Sequence, residues 1–153
     1  MRNRTLITGL IALLAALPVS SAQAMTADEF FADGNRLARD DLYWAALLRY
    51  SQAAEQGLDT PILHYNTGVT HYKAGQHIRA RESLLQALDD PSLRVVTHYN
   101  LGLNAWALGD TDEALRWFRL ARDQETDPKL QKFAVVAIAR IREQQEEPTE
   151  YEV

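Results

Sequence analysis

The sequence HYNTGVTHYKAG occupies residues 64–75, and HYNLGLNAWALGDTDEAL occupies residues 98–115. The two stretches open with nearly the same five letters and start 34 positions apart, at 64 and 98. A pattern that recurs at a fixed interval of about 20 to 50 residues is typical of chains built from copies of one supersecondary unit. We therefore divide most of the chain into three segments of equal length, residues 27–60, 61–94 and 95–128.

Small residues recur at the same places of all three segments. Two antiparallel helices can cross closely only where their side chains are small, and bulky apolar residues then fill the space around the crossing. Glycine or aspartate at the fifteenth place is typical of the end of a helix. The recurring residues are Gly34, Gly68 and Gly102 at the eighth place, Asp41, Gly75 and Gly109 at the fifteenth, Ala46, Ala80 and Ala114 at the twentieth, and Ala53, Ala87 and Ala121 at the twenty-seventh.

The rest of each segment fits a pair of helices joined by a turn. Bulky apolar residues recur at helical spacing in the second half of each segment, whereas no stretch alternates apolar and polar residues as a strand does. Aspartate or threonine after the turn can cap the second helix, and prolines near the segment boundaries suit helix starts. The bulky residues are Leu47 and Tyr50, Leu84 and Leu88, and Leu115 and Phe118, and the prolines are Pro61, Pro91 and Pro128.

These features resemble the tetratricopeptide repeat, a 34-residue helix-turn-helix unit with the pattern W-x2-L-G-x2-Y, then A-x3-F, then P. Ala114 and Phe118 carry the second-helix signature, as do Ala46 and Tyr50. The tryptophan place instead holds Phe30, His64 and His98. The resemblance implies an all-α, right-handed α-solenoid of three repeats, whose first helices line a concave groove.

Repeat arrays need a polar cap over their last apolar face. The sequence after Pro128 predicts one capping helix over residues 129–147, and the final residues, 148–153, form an acidic segment that we expect to be disordered. We expect the cap to bury Leu130, Phe133, Val136, Ala137 and Ile141 and to expose Lys129, Lys132, Arg140 and Glu143.

Residues 1–24 have the pattern of a secretory signal peptide. Arg2 and Arg4 precede an apolar run from Leu6 to Leu17, and small residues end at Ala24. The run is too short to span a bilayer, which takes about 20 apolar residues. We expect cleavage after Ala24, a periplasmic location and no stable membrane insertion afterwards.

Charge and cysteine content exclude several classes of function. The remaining chain would carry 14 basic and 21 acidic residues, a net charge of −7, which disfavours binding to nucleic acid. The chain has no cysteine, so disulfides, thiol nucleophiles and cysteine-bound metals are excluded. It also lacks a glycine-rich phosphate loop, a serine elbow and a His-Glu-x-x-His pattern, so we predict no cofactor and no enzymatic activity.

The histidines do not favour a metal site. His64 and His98 occupy the same repeat place, which accounts for their recurrence, and His64 and His71 are seven residues apart on one predicted helix. That spacing separates them by roughly 10.5 Å along the helix axis, too far to bind one ion together without another ligand. The fourth histidine is His77.

By analogy with the family, the groove should be lined by the second, fifth, ninth, twelfth and thirteenth places of each repeat. An aromatic residue stands at the fifth place of every repeat, and two basic residues stand at the thirteenth. Such a surface suits an extended peptide with apolar or aromatic anchors and an acidic group, although aromatic stripes on helices also serve packing alone. The candidate partner-binding residues are Phe31, Asn35, Arg39, Tyr65, Val69, Tyr72, Lys73, Tyr99, Leu103 and Trp106.

Some family members hold chaperone carboxylates with a clamp of Lys, Asn, Asn, Lys and Arg. The two asparagine places correspond here to Asn35 and Asn66, but the basic places hold Phe31, Val96 and Asn100, so that clamp is not present. We expect Asn66 and Asn100 to make structural hydrogen bonds.

Together with the signal-peptide pattern of residues 1–24, the expected groove predicts a periplasmic adaptor that binds an envelope protein or an extended peptide segment. The alternative is a small-ligand module in which the aromatic residues and Arg39 or Lys73 bind a glycan or a peptidoglycan fragment.

Overall fold

The computed structural model describes residues 24–124 and 127–146. Within these ranges the chain is all-α and has no strand, so the predicted fold class is confirmed. Ala24 apart, the expected leader lies outside the described residues, as does the acidic segment 148–153. The helices are α1 (Ala27–Arg39), α2 (Tyr43–Glu55), α3 (Pro61–Lys73), α4 (His77–Gln86), α5 (Arg94–Ala107), α6 (Thr111–Arg122) and α7 (Pro128–Glu146), and a short 3₁₀ turn covers Ala87–Asp89.

The turns inside the repeats depend on backbone conformation at the fifteenth place. Asp41, Gly75 and Gly109 all have positive φ, of 59°, 74° and 79°. This left-handed conformation ends a helix at little cost for glycine, and aspartate tolerates it better than most residues do. The chain thereby reverses direction after α1, α3 and α5.

Side-chain capping of the second helices is sparser than expected. Asp110 accepts a hydrogen bond from the backbone N–H of Glu113 and so caps α6, as predicted. By contrast, Leu42 and Gln76 precede α2 and α4 and provide no side-chain cap. Thr60 caps a first helix, α3, which begins at Pro61.

Each hairpin is held by a glycine that faces a bulky side chain. A Cβ atom built on Gly34 would lie 2.5 Å from the Tyr50 ring, and one built on Gly102 would lie 2.7 Å from the Phe118 ring. Gly68 faces Leu84 in the same way, at 2.7 Å. Because no side chain fits in these gaps, the two helices of each repeat approach as closely as the repeating small residues predicted.

Adjacent repeats stack with their first helices inside the curve. Cα atoms of α1 and α3, and of α3 and α5, come within 8 Å of each other. No such approach joins α2 to α4 or α4 to α6, so within the described chain the second helices splay apart. The first helices therefore line the concave side of the solenoid.

The last helix caps the array with a face that only partly matches the prediction, since Ala137 and Ile141 are buried as expected. Ala134, Ala137, Ile138 and Ile141 are buried against the third repeat. Phe133 and Val136 are instead 44% and 42% exposed, so their predicted burial was wrong. Small side chains at two of the buried places let α7 approach α6 closely. The four charged residues expected at the surface are exposed, and no described helix is both long and apolar enough to cross a membrane.

Candidate functional site

A cavity of about 330 Å³ opens on the concave side between the first two repeats. We call it the groove pocket. Helices α1 and α3 form its walls, and α2 contributes one ring from behind. Its size suits one or two side chains of a bound peptide. The lining residues are Asn35, Ala38, Arg39, Tyr50, Asn66, Val69, Thr70 and Lys73.

Hydrogen bonds fix the polar base of the groove pocket. The Oδ1 atom of Asn35 accepts from the Tyr50 hydroxyl at 2.9 Å and from Nδ2 of Asn66 at 2.8 Å. These bonds connect α1, α2 and α3 and orient the Asn35 amide. Among the described residues, no acceptor takes the hydrogens of the Asn35 Nδ2 group, so these donors are available to a ligand.

Two cations stand at the mouth of the groove pocket. Arg39 and Lys73 are exposed and make no ion pair with any described residue. The Nζ atom of Lys73 lies 5.5 Å from the centre of the Tyr43 ring, which holds this ammonium group near the pocket. Burial raises the pKa of Tyr50, so its hydroxyl remains a neutral donor to Asn35. With amide donors below and cations above, the pocket can accept a carboxylate.

The aromatic row at the fifth place packs largely within the protein. The Phe31 ring lies 6.0 Å from that of Tyr50, and the Tyr99 ring lies 5.6 Å from that of Phe118. The Tyr65 hydroxyl accepts a hydrogen bond from Nδ2 of Asn100 at 3.1 Å. Burial is also the largest cause of the raised pKa values of Tyr65 and Tyr99. All three rings are half-buried and so stabilise the contacts between helices.

The other candidates from the sequence lie apart from the groove pocket. Tyr72 packs edge-on against His77, with ring centres 5.5 Å apart. Leu103 and Trp106 pack on the apolar cluster between the third repeat and α7. Of the ten candidates, the structure brings together Asn35, Arg39, Val69 and Lys73 around the groove pocket.

The sequence did not identify Tyr50 or Thr70 as parts of this site. Tyr50 was assigned to packing, which is correct for its ring, but its hydroxyl also orients Asn35. The feature of the sequence that could have indicated this role is the polar hydroxyl group of Tyr50 in a helix otherwise rich in apolar residues. The expectation for Asn66 and Asn100 was correct, because both donate hydrogen bonds within the protein.

The histidines make structural contacts. His64 pairs with Asp59 at 2.6 Å, and Nδ1 of His71 lies 2.6 Å from Oε1 of Gln76. His77 lies 3.2 Å from the side chain of Asn104, while the buried His98 ring stacks on Trp117. Within the described ranges, no three His, Asp or Glu side chains are placed to hold one metal ion.

Comparisons with known proteins agree with this geometry. A family model described as tetratricopeptide repeat matches residues 95–119. The photosystem I assembly protein Ycf3 of Synechococcus elongatus is 30% identical, over 74% of this chain and 71% of that protein. The chain belongs to the tetratricopeptide repeat family. The same protein from another Synechococcus strain matches equally well.

A solved structure supports the fold of this tetratricopeptide repeat protein. The Sgt2 tetratricopeptide repeat domain from Aspergillus fumigatus superposes with a TM-score of 0.67, over 83% of this chain and 87% of that domain, at 20% identity. Tetratricopeptide repeats bind protein partners or peptides, and members of the family are generally non-enzymatic scaffolds. The groove pocket therefore lies on the face expected to serve recognition.

Proposed function

We propose that this protein is a periplasmic adaptor that holds an envelope protein by binding an extended segment of it in the concave groove. The observation that carries the proposal is the groove pocket, in which Arg39 and Lys73, unpaired within the described chain, stand above the oriented amide of Asn35. A preformed concave surface loses little conformational freedom when a peptide binds, so its contacts convert efficiently into affinity.

The chemistry of the groove pocket favours a segment with an acidic residue beside a small apolar one. A carboxylate can accept charge-assisted hydrogen bonds from both the guanidinium group of Arg39 and the ammonium group of Lys73. Val69 and Ala38 supply the apolar part of the wall. No bond is made or broken in this role, since the described pocket offers recognition and no nucleophile activated by a base.

The leader-like sequence of residues 1–24 supports the proposed location. Fractionation of cells that express the protein from its own gene tests it directly. We expect the protein in the periplasmic fraction with Met25 as its first residue. Recovery of a chain that retains residues 1–24 in the cytoplasm would refute export, while leaving the groove available to a partner there.

Retention of envelope proteins on the immobilised protein tests the adaptor role. We expect the Arg39→Glu/Lys73→Glu variant to lose those proteins that the unmodified protein retains. The matched control is Lys132→Glu/Arg140→Glu, which makes the same charge change at two exposed sites on α7 and should retain them.

Two results would count against the adaptor. Equal retention by the groove variant and the control would place the binding surface elsewhere. Binding of soluble peptidoglycan fragments, lost in the groove variant and accompanied by no retained protein, would instead support the small-ligand module.

A further inference from the structure

The outer side of the same junction carries a second and larger cavity, of about 440 Å³. We call it the back pocket. It lies in the gap between α2 and α4, on the side opposite the groove. Tyr50 separates it from the groove pocket, since this side chain lines both cavities. Leu47, Leu63 and the 66% exposed Trp44 provide apolar walls, and His71, Gln76 and Arg79 provide polar ones.

The corresponding gap between α4 and α6 is closed to a water molecule. There the protein fills it with its own side chains. The Glu113 carboxylate bonds Arg81 at 2.8 Å and accepts from the indole N–H of Trp117 at 3.1 Å. The Trp117 ring then stacks on His98, with ring centres 5.5 Å apart. An aromatic ring and a carboxylate, one helical turn apart, therefore complete this junction.

The first junction lacks the carboxylate, its arginine partner and the tryptophan at these places. In the 34-residue repeat, Arg79 stands at the place of Glu113, and Ser83 stands at the place of Trp117. Leu47 stands at the place of Arg81, so the two facing residues cannot form an ion pair. Arg79 makes no ion pair with any described residue, and no acidic residue lines the back pocket.

The acidic groups near the back pocket lie outside its lining, and two of them are bonded to lining residues, Ser51 and His64. Glu55 accepts from the Ser51 hydroxyl at 3.0 Å, and Asp59 pairs with His64. Glu82 lies one turn beyond Arg79 on α4. Because Oε1 of Gln76 accepts from His71, the His71 proton is on Nδ1, and Nε2 offers a lone pair. The cavity thus presents a cation, an acceptor and apolar walls.

We propose that the back pocket is a second docking site for a partner protein, which inserts a helical segment with a carboxylate and an aromatic side chain one turn apart. The carboxylate binds Arg79, and the aromatic ring packs in the cavity against Trp44 and Leu47. The partner thereby brings to the first junction the same two kinds of group, a carboxylate and an aromatic ring, that Glu113 and Trp117 bring to the second. The adaptor can then hold one partner on each side of Tyr50.

The test uses a blocked, alanine-rich helical peptide with one Glu and, four residues later, one Trp. The ¹⁵N-labelled protein has three indole N–H signals, so that of Trp44 reports on the pocket directly. We expect this signal to shift on titration. The dissociation constant, measured in every variant from the backbone amide signals of the same spectra, should rise about tenfold or more in Arg79→Glu and in Trp44→Ala. Peptides with Gln for Glu, or Ala for Trp, should bind similarly weakly.

Matched controls separate this site from its surroundings. Leu48→Ala removes an exposed apolar side chain from the same helix, and Arg116→Glu makes the same charge change on α6. Both should bind the peptide as the unmodified protein does. Lys73→Glu should also bind it normally, because the groove pocket is not involved, and a failure of the adaptor proposal would leave this result unchanged.

Four outcomes would overturn the proposal. The first is no binding, and the second is binding that is insensitive to loss of the peptide's Glu or Trp. The third is binding lost in Lys73→Glu but kept in Arg79→Glu, which would place the peptide in the groove. The fourth is a Trp44 shift caused by an N-acetylglucosamine trimer or by self-association of the protein, which would make a glycan or a second copy the occupant.

Discussion

The Tyr50 hydroxyl on α2 donates a hydrogen bond to Oδ1 of Asn35 on α1, and Nδ2 of Asn66 on α3 donates to the same oxygen. One amide oxygen thus connects both helices of the first repeat to the second repeat. The arrangement has two consequences. It fixes the stacking of the repeats, and it presents the Asn35 amide donors to the groove.

Tyr50→Phe tests this connection. Loss of the hydroxyl removes one of the two bonds to Asn35 while keeping the ring that faces Gly34. We expect the free energy of unfolding, measured in urea, to fall by about 0.5 to 1.5 kcal/mol. The control is Tyr43→Phe, whose hydroxyl bonds Asp41 at an exposed position and should change stability by less than about 0.5 kcal/mol. Equal losses of unfolding free energy in the two variants would show that the hydrogen bond to Asn35 contributes no more than the exposed one to Asp41.

Gly102→Ala tests the close crossing in the third repeat. The new methyl group would lie 2.7 Å from the Phe118 ring, so either the ring or α5 must move. We expect destabilisation of about 1 to 3 kcal/mol, despite the better helix propensity of alanine. Combination with Phe118→Leu should cost less than the sum of the two single changes, since the smaller side chain relieves the clash. Additive costs in thermal or urea unfolding would contradict the clash.

The face of α7 that caps the array can be checked with two substitutions. Ile141 is 1% exposed, whereas Val136 is 42% exposed. We expect Ile141→Ala to reduce the free energy of unfolding by about 2 to 5 kcal/mol, because it leaves a cavity in the core. Val136→Ala should change it by less than about 0.5 kcal/mol. A loss in Val136→Ala as large as that in Ile141→Ala would show that Val136 is buried as well, as the sequence predicted.

His98 should make the protein less stable in mild acid. Burial is the main cause that lowers the pKa of His98, with Arg94 adding to it, and Nδ1 has no hydrogen-bond partner among the described residues. Below pH about 6.5 the unfolded chain therefore binds more protons than the folded chain does, and stability falls as pH decreases towards the folded pKa. Above that window His98 contributes no pH dependence.

His98→Phe keeps a ring against Trp117 and removes the titrating group. Urea unfolding at a series of pH values between about 7.5 and 5 should give a shallower loss of stability in this variant. Some loss should remain, because burial also lowers the pKa of His71. An unchanged slope would show that His98 takes up its proton as readily in the folded protein as in the unfolded chain.

The fold could be predicted from the sequence because its determinants are local and recur. A glycine at the eighth place and an alanine at the twentieth define each crossing, because only small residues let two helix backbones approach this closely. The cap was harder, because the run from Phe133 to Ile138 is apolar on every side of the helix. Only packing against α6 selects the face with Ala134 and Ala137.

The site was partly predictable for a related reason. The repeat place assigns Arg39 and Lys73 to the first-helix face, and the structure puts them at one pocket. The repeat place of a residue does not indicate how deeply its ring is buried. It therefore could not show that Tyr99 packs on Phe118 rather than serving as a ligand contact. The back pocket arises from differences between repeats, such as Ser83 against Trp117, which a search for similarities does not reveal.

Within the part of the chain that the structure describes, two apolar clusters differ in size, and this has a consequence for biosynthesis. The larger cluster contains buried residues of α5, α6 and α7, from Ala105 to Ile141, while the smaller one contains Ala46, Tyr50 and Leu63. A ribosome therefore releases the residues of the smaller cluster first, and the larger cluster is complete only with the final helix. Since repeat arrays gain stability from neighbouring units, we expect the nascent chain to complete its larger core only when α7 has emerged.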